Sequence, residues 1–399
     1  MGHGGKYRVC VIVGTRAEAI KLAPVILELG QHRQAVETLV VTTAQHRDML
    51  SQGLDAFGIK PHVDLGLAVP NKQALADFTA RAMLALSSCF SELRPDLVLV
   101  QGDTTTVLSA ALAAHYLGIP VGHIEAGLRS GNMRNPFPEE LNRRLASVVA
   151  DLHFAPTETA RENLRREGVA DDRVIVTGNT IVDAVRRMPR KGTFDESRLA
   201  ALPWEKRRVV LCTVHRRENI GEPLANVCRA IAELATMHTE THFVLPVHPN
   251  PRVHETIHDE LSGLPRVELL DPLGYSDLVE LLRRSEFAMT DSGGIQEECA
   301  SLGKPVLVLR RNTDRPEVIA SGFGCMVGTE TLAIVDTATR LLDDYREIEA
   351  MTLEENPFGD GLAAQRIVQS IMRRAPRHAG APPVSEGPAL LPTRRAVER

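Results

Sequence analysis

Six cysteines in 399 residues, none of them in a CxxC pair, argue against a structural zinc site. Cys10, Cys89, Cys212, Cys228, Cys299 and Cys325 are scattered, mostly through apolar stretches where a small buried thiol is the expected role, and this usage points to a reducing cytoplasm. No apolar run reaches the roughly 18 residues of a membrane span. Met1 to Lys6 is polar and glycine-rich where a signal peptide would have an apolar centre. The expectation is a cytoplasmic protein without membrane contact. A net charge of -5 offers no basic surface to nucleic acid, and the absence of a GxGxxG string leaves nothing pointing to a nicotinamide dinucleotide.

What is present is an ordinary globular composition, 43% hydrophobic and 24% charged, in a chain long enough for two or three domains of roughly 150 residues each. Short apolar runs alternate with helix-like segments: Arg8 to Val13 then Glu18 to Gly30, Thr38 to Thr42 then Arg47 to Phe57, Leu97 to Val100 then Thr105 to Leu117. Continuous apolar runs such as Leu97-Val98-Leu99-Val100 and Val174-Ile175-Val176 are the mark of parallel strands covered on both faces. The pattern restarts with Arg208 to Thr213, His242 to Val247, Val267 to Leu270, Phe287 to Thr290 and Val306 to Leu309. Two doubly wound α/β domains are expected, residues 1–185 and 208–360, with the charged stretch 186–207 as linker. The tail 375–399, rich in Pro, Ala, Gly and Arg, reads as disordered.

Ligands of such sheets bind beyond the carboxyl ends of the strands, and six run ends here carry polar groups. They are Gly14-Thr15-Arg16, Gln101-Gly102-Asp103, His123-Ile124-Glu125, His215-Arg216-Arg217-Glu218, His248-Pro249-Asn250 and Asp291-Ser292-Gly293-Gly294. The last has two glycines at a strand-to-helix junction, which lets backbone N–H groups approach an anion at a helix N-terminus. A plain turn capped by Asp291 or Ser292 is the alternative. Arg16 and Lys21 place two cations near one strand end, and Asp103, Glu125 and Glu139 are three acids at strand ends or in the loop before a helix. Clustering raises some of their pKa values, as acid/base work near neutrality requires. Each alone could instead be a structural cap. Together they point to an interdomain cleft for an anionic sugar nucleotide or a similar ligand.

The strings GTRAEAIKLAPV, TAQHRDML, QGDTTTVLSAALAA, HIEAGLRS, NPFPEELNRR, VTGNTIVDA, TVHRREN, HPNP, TDSGGIQEECASLGKPVLVLR and DRPE closely resemble the non-hydrolysing UDP-N-acetylglucosamine 2-epimerases, from about Arg8 to Gly361. The resemblance implies a glycosyltransferase type B architecture: two Rossmann-like domains with a UDP-sugar in the cleft, a C-terminal helix at 361–374 crossing back onto the first domain, and a homodimer. It implies Arg16 and Lys21 near the sugar phosphates, and Asp103, Glu125 and Glu139 as catalytic carboxylates. His215 would lie beside the diphosphate and reacting sugar. Ser292, Gly293 and Gly294 would form the diphosphate cradle, with Glu298 on the ribose hydroxyls, His248 on the nucleotide side and Arg315 at the cleft. The implied chemistry expels UDP from C1 with loss of the C2 proton and then adds it back, using no metal or nicotinamide. Gln45, His46 and Arg47 match an allosteric UDP-GlcNAc site of some members, with Asp48 where those often have Gln.

The chain departs from the family pattern at Ala17, where Pro is usual, at Met133-Arg134-Asn135 in place of a Tyr-Ser pair, and at Asn312-Thr313-Asp314 in place of Thr-Thr-Glu. A 2-epimerase of a modified UDP-amino sugar, a hydrolysing UDP-GlcNAc 2-epimerase and a glycosyltransferase of the same fold stand as alternatives.

Overall fold

The computed structural model describes residues 6–43, 47–67, 75–313, 315–352 and 355–375. Among them, β1 (Tyr7–Val13), β2 (Val36–Thr42), β3 (Val63–Asp64), β4 (Leu97–Gln101), β5 (Val121–Ile124), β6 (Leu152–Ala155) and β7 (Val174–Val176) form one sheet in the order β3-β2-β1-β4-β5-β6-β7. A second sheet holds β8 (Arg208–Thr213), β9 (Thr241–Pro246), β10 (Val267–Leu270), β11 (Ala288–Thr290), β12 (Val306–Val308) and β13 (Gly324–Met326), ordered β10-β9-β8-β11-β12-β13. Neighbours pair in parallel throughout, as in β1 with β4 and β8 with β11. The architecture is the expected pair of doubly wound α/β units. Each sheet reverses its winding beside its first strand, so the loops after β1 and β4, and after β8 and β11, stand where sheets of this kind hold their ligands.

Helices cover both faces of each sheet, which is why the strands read as unbroken apolar runs. In β1, Val9, Val11 and Val13 enter one core while Cys10 and Ile12 enter the other. In β8, Val210 and Cys212 face one core and Val209 and Leu211 the opposite one. β5 and β6 are less plain in sequence because each has a histidine at its centre. His123 and His153 are register partners and fully buried. Burial, the largest cause in both, pushes their pKa values down to about 4 and about 3, so each enters the sheet as a neutral ring.

The helix Arg16–Gln31 starts two residues ahead of the expected Glu18 because Thr15 and Glu18 close a capping box around its first turn. The segment 186–207 has no strand but is packed, with Phe194 and Leu199 buried beside the second sheet and Phe194 stacked on Trp204 at 5.0 Å. The helix Ala363–Arg374 lays Ala364, Ile367, Val368 and Ile371 into the core that also holds Val9 and Val25. Each of its large apolar side chains stabilises this docking by about 1.5–3 kcal/mol. The Asp183 carboxylate accepts from Ala363 N and Ala364 N at 3.2 and 2.9 Å, capping the helix from a distant part of the chain. Among the described residues no helix is long and apolar enough to cross a membrane. Residues 376–399, most of the stretch read as a tail, lie outside the described residues.

Candidate active site

A cavity of about 320 Å³ opens between the carboxyl ends of the two sheets. Arg16, Ala17, Lys21 and Ile181 line it from the first sheet's side, and His215, His248, Ser292, Gly294 and Glu298 from the second's. Pro272, Leu273 and Leu278 give it an apolar wall.

The β11 junction is not closed by a side-chain cap. Ser292 stands at the cap position of helix Gly293–Leu302 but makes no side-chain cap bond, so the positive end of the helix dipole is left open to the cavity. Asp291 is turned away. Its fully buried carboxylate accepts from His215 N at 3.0 Å, Arg216 N at 2.8 Å and Asn219 Nδ2 at 2.9 Å, and so ties the loop after β8 to the loop after β11. His215 is thereby fixed, with its ring stacked on His248 at 5.3 Å and 12° between planes. Burial lowers the His215 pKa, against the opposing pull of Asp291. A Cβ on Gly294 would meet only Ser292 Oγ, at 3.8 Å, so the bareness of this backbone faces the cavity and not a packed neighbour.

Glu298 lies one turn into the same helix and is almost fully buried. Burial pushes its pKa up to about 7, against the Arg16 guanidinium, which favours the charged form. Arg16 reaches over from the first sheet's side and donates from Nη2 to the Leu273 carbonyl at 2.8 Å. It therefore spans the cavity.

None of the three acids lines this cavity. Asp103 is ion-paired to the buried Arg143, and Asn142 Nδ2 donates to the Asp103 carbonyl at 2.9 Å. Both partners come from helix Glu139–Val149, whose first residue is Glu139. Burial raises the Glu139 pKa, and the nearby Asp103 charge adds to the rise. Glu125 adopts a left-handed φ of 62°, a strained conformation for a residue with a Cβ. Its carboxylate is paired with Lys21 and also accepts from Asn179 Nδ2 at 3.2 Å.

Lys21 is buried between two carboxylates, Glu125 and, at 2.7 Å, Glu297 of the second sheet's side. Burial alone would lower its pKa, but Glu125 and Glu297 together hold it above the usual lysine range. Arg315 joins the same group, with Nε 2.5 Å from Glu297 Oε1 and Nη2 3.7 Å from Glu125 Oε1. Glu18 braces the first sheet's loops. It accepts from Gly14 N at 2.5 Å, Thr15 N at 3.3 Å and Thr104 Oγ at 2.5 Å, and burial pushes its pKa up to about 7. Gly14 is needed there because a Cβ would fall 2.3 Å from Thr106 Oγ.

Of the residues singled out in sequence, Arg16, Lys21, His215, His248, Ser292, Gly294 and Glu298 meet in the cavity. Gly293 starts the helix behind it. Asp103, Glu125, Glu139 and Arg315 do not line it: Asp103 lies near Glu139, and Glu125 lies near Arg315. Gln45 and His46 lie outside the described residues, and Arg47 is placed only as the start of helix Arg47–Asp55. Met133, Arg134 and Asn135 are exposed and do not line the cavity, whereas Ala17 does. Sequence reasoning missed Glu18, Asn142, Arg143, Asn179 and Glu297. A usable signal was the stripe Glu140, Arg143 and Ser147, polar residues at helical spacing that are all buried. Among the described residues no three His, Cys, Asp or Glu side chains are arranged to hold a metal ion.

A statistical model of the UDP-N-acetylglucosamine 2-epimerase family matches residues 28–372. The UDP-N-acetylglucosamine 2-epimerase of Bacillus subtilis is 46% identical over 367 residues, 92% of this chain and 95% of the relative. That of Escherichia coli K12 is 46% identical over 370 residues, 91% and 98% of the two chains. Among solved structures, the Neisseria meningitidis UDP-GlcNAc 2-epimerase bound to UDP-GlcNAc superposes with a TM-score of 0.87 at 46% identity, covering 92% of this chain and 100% of the other. The Methanocaldococcus jannaschii enzyme in complex with UDP-GlcNAc and UDP gives 0.79 at 31% identity, with 92% and 99% covered. With its motifs, both sheets and nearly its whole described length matched, the chain belongs to the UDP-N-acetylglucosamine 2-epimerase family.

Proposed function

We propose that the protein interconverts UDP-N-acetylglucosamine and UDP-N-acetylmannosamine in the cytoplasm, without hydrolysis, by elimination and re-addition of UDP through 2-acetamidoglucal. The observation that carries this reading is Lys21, which lines the cavity while its ammonium pairs with Glu125, so that one residue joins the proposed nucleotide site to an acid.

The proton on C2 is not next to a carbonyl and is too weakly acidic for simple removal and return. In the elimination, a carboxylate takes that proton, the C2–H electrons form the C1–C2 double bond, and the C1–O bond breaks toward UDP. In the re-addition, a UDP oxygen bonds to C1 and a proton is delivered to the other face of C2. The uncapped helix N-terminus at Ser292 to Gly294 stabilises the departing diphosphate, with Arg16 beside it. His215, held by Asp291, stands at the leaving group. Glu298 accepts from the ribose hydroxyls, and His248 supports the nucleotide side. Among the acids, Glu139 is suited to carry a proton because its pKa is raised, and Asp103, paired with Arg143, is suited to accept one. Glu125 works beside Lys21 on the same sugar.

Incubation with UDP-GlcNAc and no acceptor, followed by proton NMR, tests the reading. The expected result is a mixture of two UDP-sugars. Free N-acetylmannosamine with UDP would mark a hydrolase, and an unchanged substrate that turns over only when an acceptor is added would mark a transferase.

A further inference from the structure

Four ionised side chains meet where the two halves touch, and their pairing has a pattern. Lys21 and Glu125 belong to the first sheet's side and pair with each other, while Arg315 and Glu297 belong to the second's and pair with each other. Across the boundary, Lys21 Nζ lies 2.7 Å from Glu297 and Arg315 Nη2 lies 3.7 Å from Glu125. Asn179 adds a neutral stitch, its single Nδ2 donating at 3.2 Å to Glu125 and at 3.2 Å to Glu297. The side chains of Lys21, Glu125, Glu297 and Arg315 are only 7%, 7%, 0% and 9% exposed.

We infer that this two-by-two cluster is a reversible interlock between the halves, and that Glu297 is a positioning residue that holds Lys21 and Arg315 around the Glu125 carboxylate. The inference rests on the proposed catalytic role of Glu125. The cluster is neutral as a whole and neutral within each half. Opening the cleft would break the cross pairs but leave every charge with a partner from its own side, so no buried charge is orphaned. That differs from an ordinary buried bridge, whose separation leaves unpaired ions and a large penalty. Closure in turn fixes the lysine that lines the nucleotide cavity. It also surrounds the left-handed Glu125, whose strained backbone needs contacts that over-determine its conformation. Glu297 does not line the cavity, whereas its neighbour Glu298 does. Two adjacent acids of one helix thus divide their work between boundary and nucleotide.

The test replaces the carboxylate by its amide. In Glu297→Gln, Lys21 and Arg315 lose the carboxylate they share, and kcat for UDP-GlcNAc is expected to fall about a hundredfold, as for a catalytic group moved by about an ångström. The calorimetric affinity for UDP should stay within about threefold, because the cradle is untouched. Small-angle scattering should show a larger radius of gyration than for the unaltered protein. Glu297→Asp, which keeps the charge, should recover part of the turnover and the smaller radius. If Glu297→Gln does not fold, Arg315→Gln removes the opposite charge of the same pair and is read in the same way. Unaltered kcat, an unaltered radius, or a loss confined to UDP affinity would overturn the interlock. Scattering needs no turnover, so failure of the unaltered protein to convert UDP-GlcNAc would count against the proposed function alone.

Discussion

The two sheets share a strand order over six strands, the first adding β7 at its edge, and differ in what their carboxyl ends carry. Each uses one buried acid to brace the loops at its reversal point: Glu18 holds Gly14, Thr15 and Thr104 in the first, and Asp291 holds His215, Arg216 and Asn219 in the second. Past that shared device the chemistry diverges. The first sheet presents acids matched to buried cations, Asp103 with Arg143 and Glu125 with Lys21. The second presents an uncapped helix end, two stacked histidines and an apolar wall. The scaffold problem of fixing loops at a crossover is thus solved twice in the same way, while the proposed function assigns proton handling and nucleotide holding to different halves.

That division is broken most sharply by removing acids from the first half. Asp103→Asn and Glu125→Gln are each expected to lower turnover at least about a hundredfold, the lower range for loss of acid/base assistance, with UDP affinity nearly unchanged. Steady-state kinetics beside UDP calorimetry reads both. Near-normal turnover in either folded variant would take that residue out of the chemistry.

On the second half the same comparison predicts the reverse pattern. Gly294→Val places a branched side chain where the ligand backbone contact is expected, so UDP binding should weaken at least about tenfold, roughly 1.4 kcal/mol, without loss of fold. A Cβ there would meet only Ser292 Oγ, at 3.8 Å, which supports the second part. Equal UDP affinity in the variant would move the nucleotide site elsewhere.

The pH response sharpens the comparison further. A ribose hydroxyl donates best to an ionised carboxylate, and Glu298 in the free protein loses its proton at about 7. UDP binding should therefore release a proton, and affinity should fall as pH drops from 8 to 6, by up to about tenfold for one coupled group. Affinity that is flat over this window, or that rises as pH falls, would remove Glu298 from the ribose.

The smallest effects concern the shared braces. Asp291→Asn leaves the amides of His215 and Arg216 with a weaker acceptor and should cost about 1–3 kcal/mol of stability, the range for disturbing buried charge-assisted bonds. Glu18→Gln should cost less, because the Glu18 carboxyl is already partly protonated near neutrality, its pKa having been raised to about 7. Thermal melts at pH 7 decide the order. An equal loss would contradict a partly protonated Glu18.

Both sheets were legible in the chain because parallel strands covered on two faces leave continuous apolar runs, and the polar residues after them marked the cleft. β5 and β6 were harder to see because a neutral buried histidine looks polar in sequence. The candidate acids and the glycine pair stood out by their place after strands. Their supports did not, since the partners are far apart along the chain: Arg143 lies 40 residues from Asp103, and Asn179 lies 118 from Glu297. Lys21 illustrates the limit. The sequence offers a cation near a strand end, and only the fold shows that it is gripped from both halves.

Conversion of UDP-GlcNAc in D2O tests the claim that the acids move the C2 proton while the cradle holds UDP. Elimination and re-addition place deuterium at C2 of the product, read as loss of its C2 proton signal in NMR. Full retention of protium at C2 after conversion would contradict the claim and leave Asp103, Glu125 and Glu139 without their proposed roles.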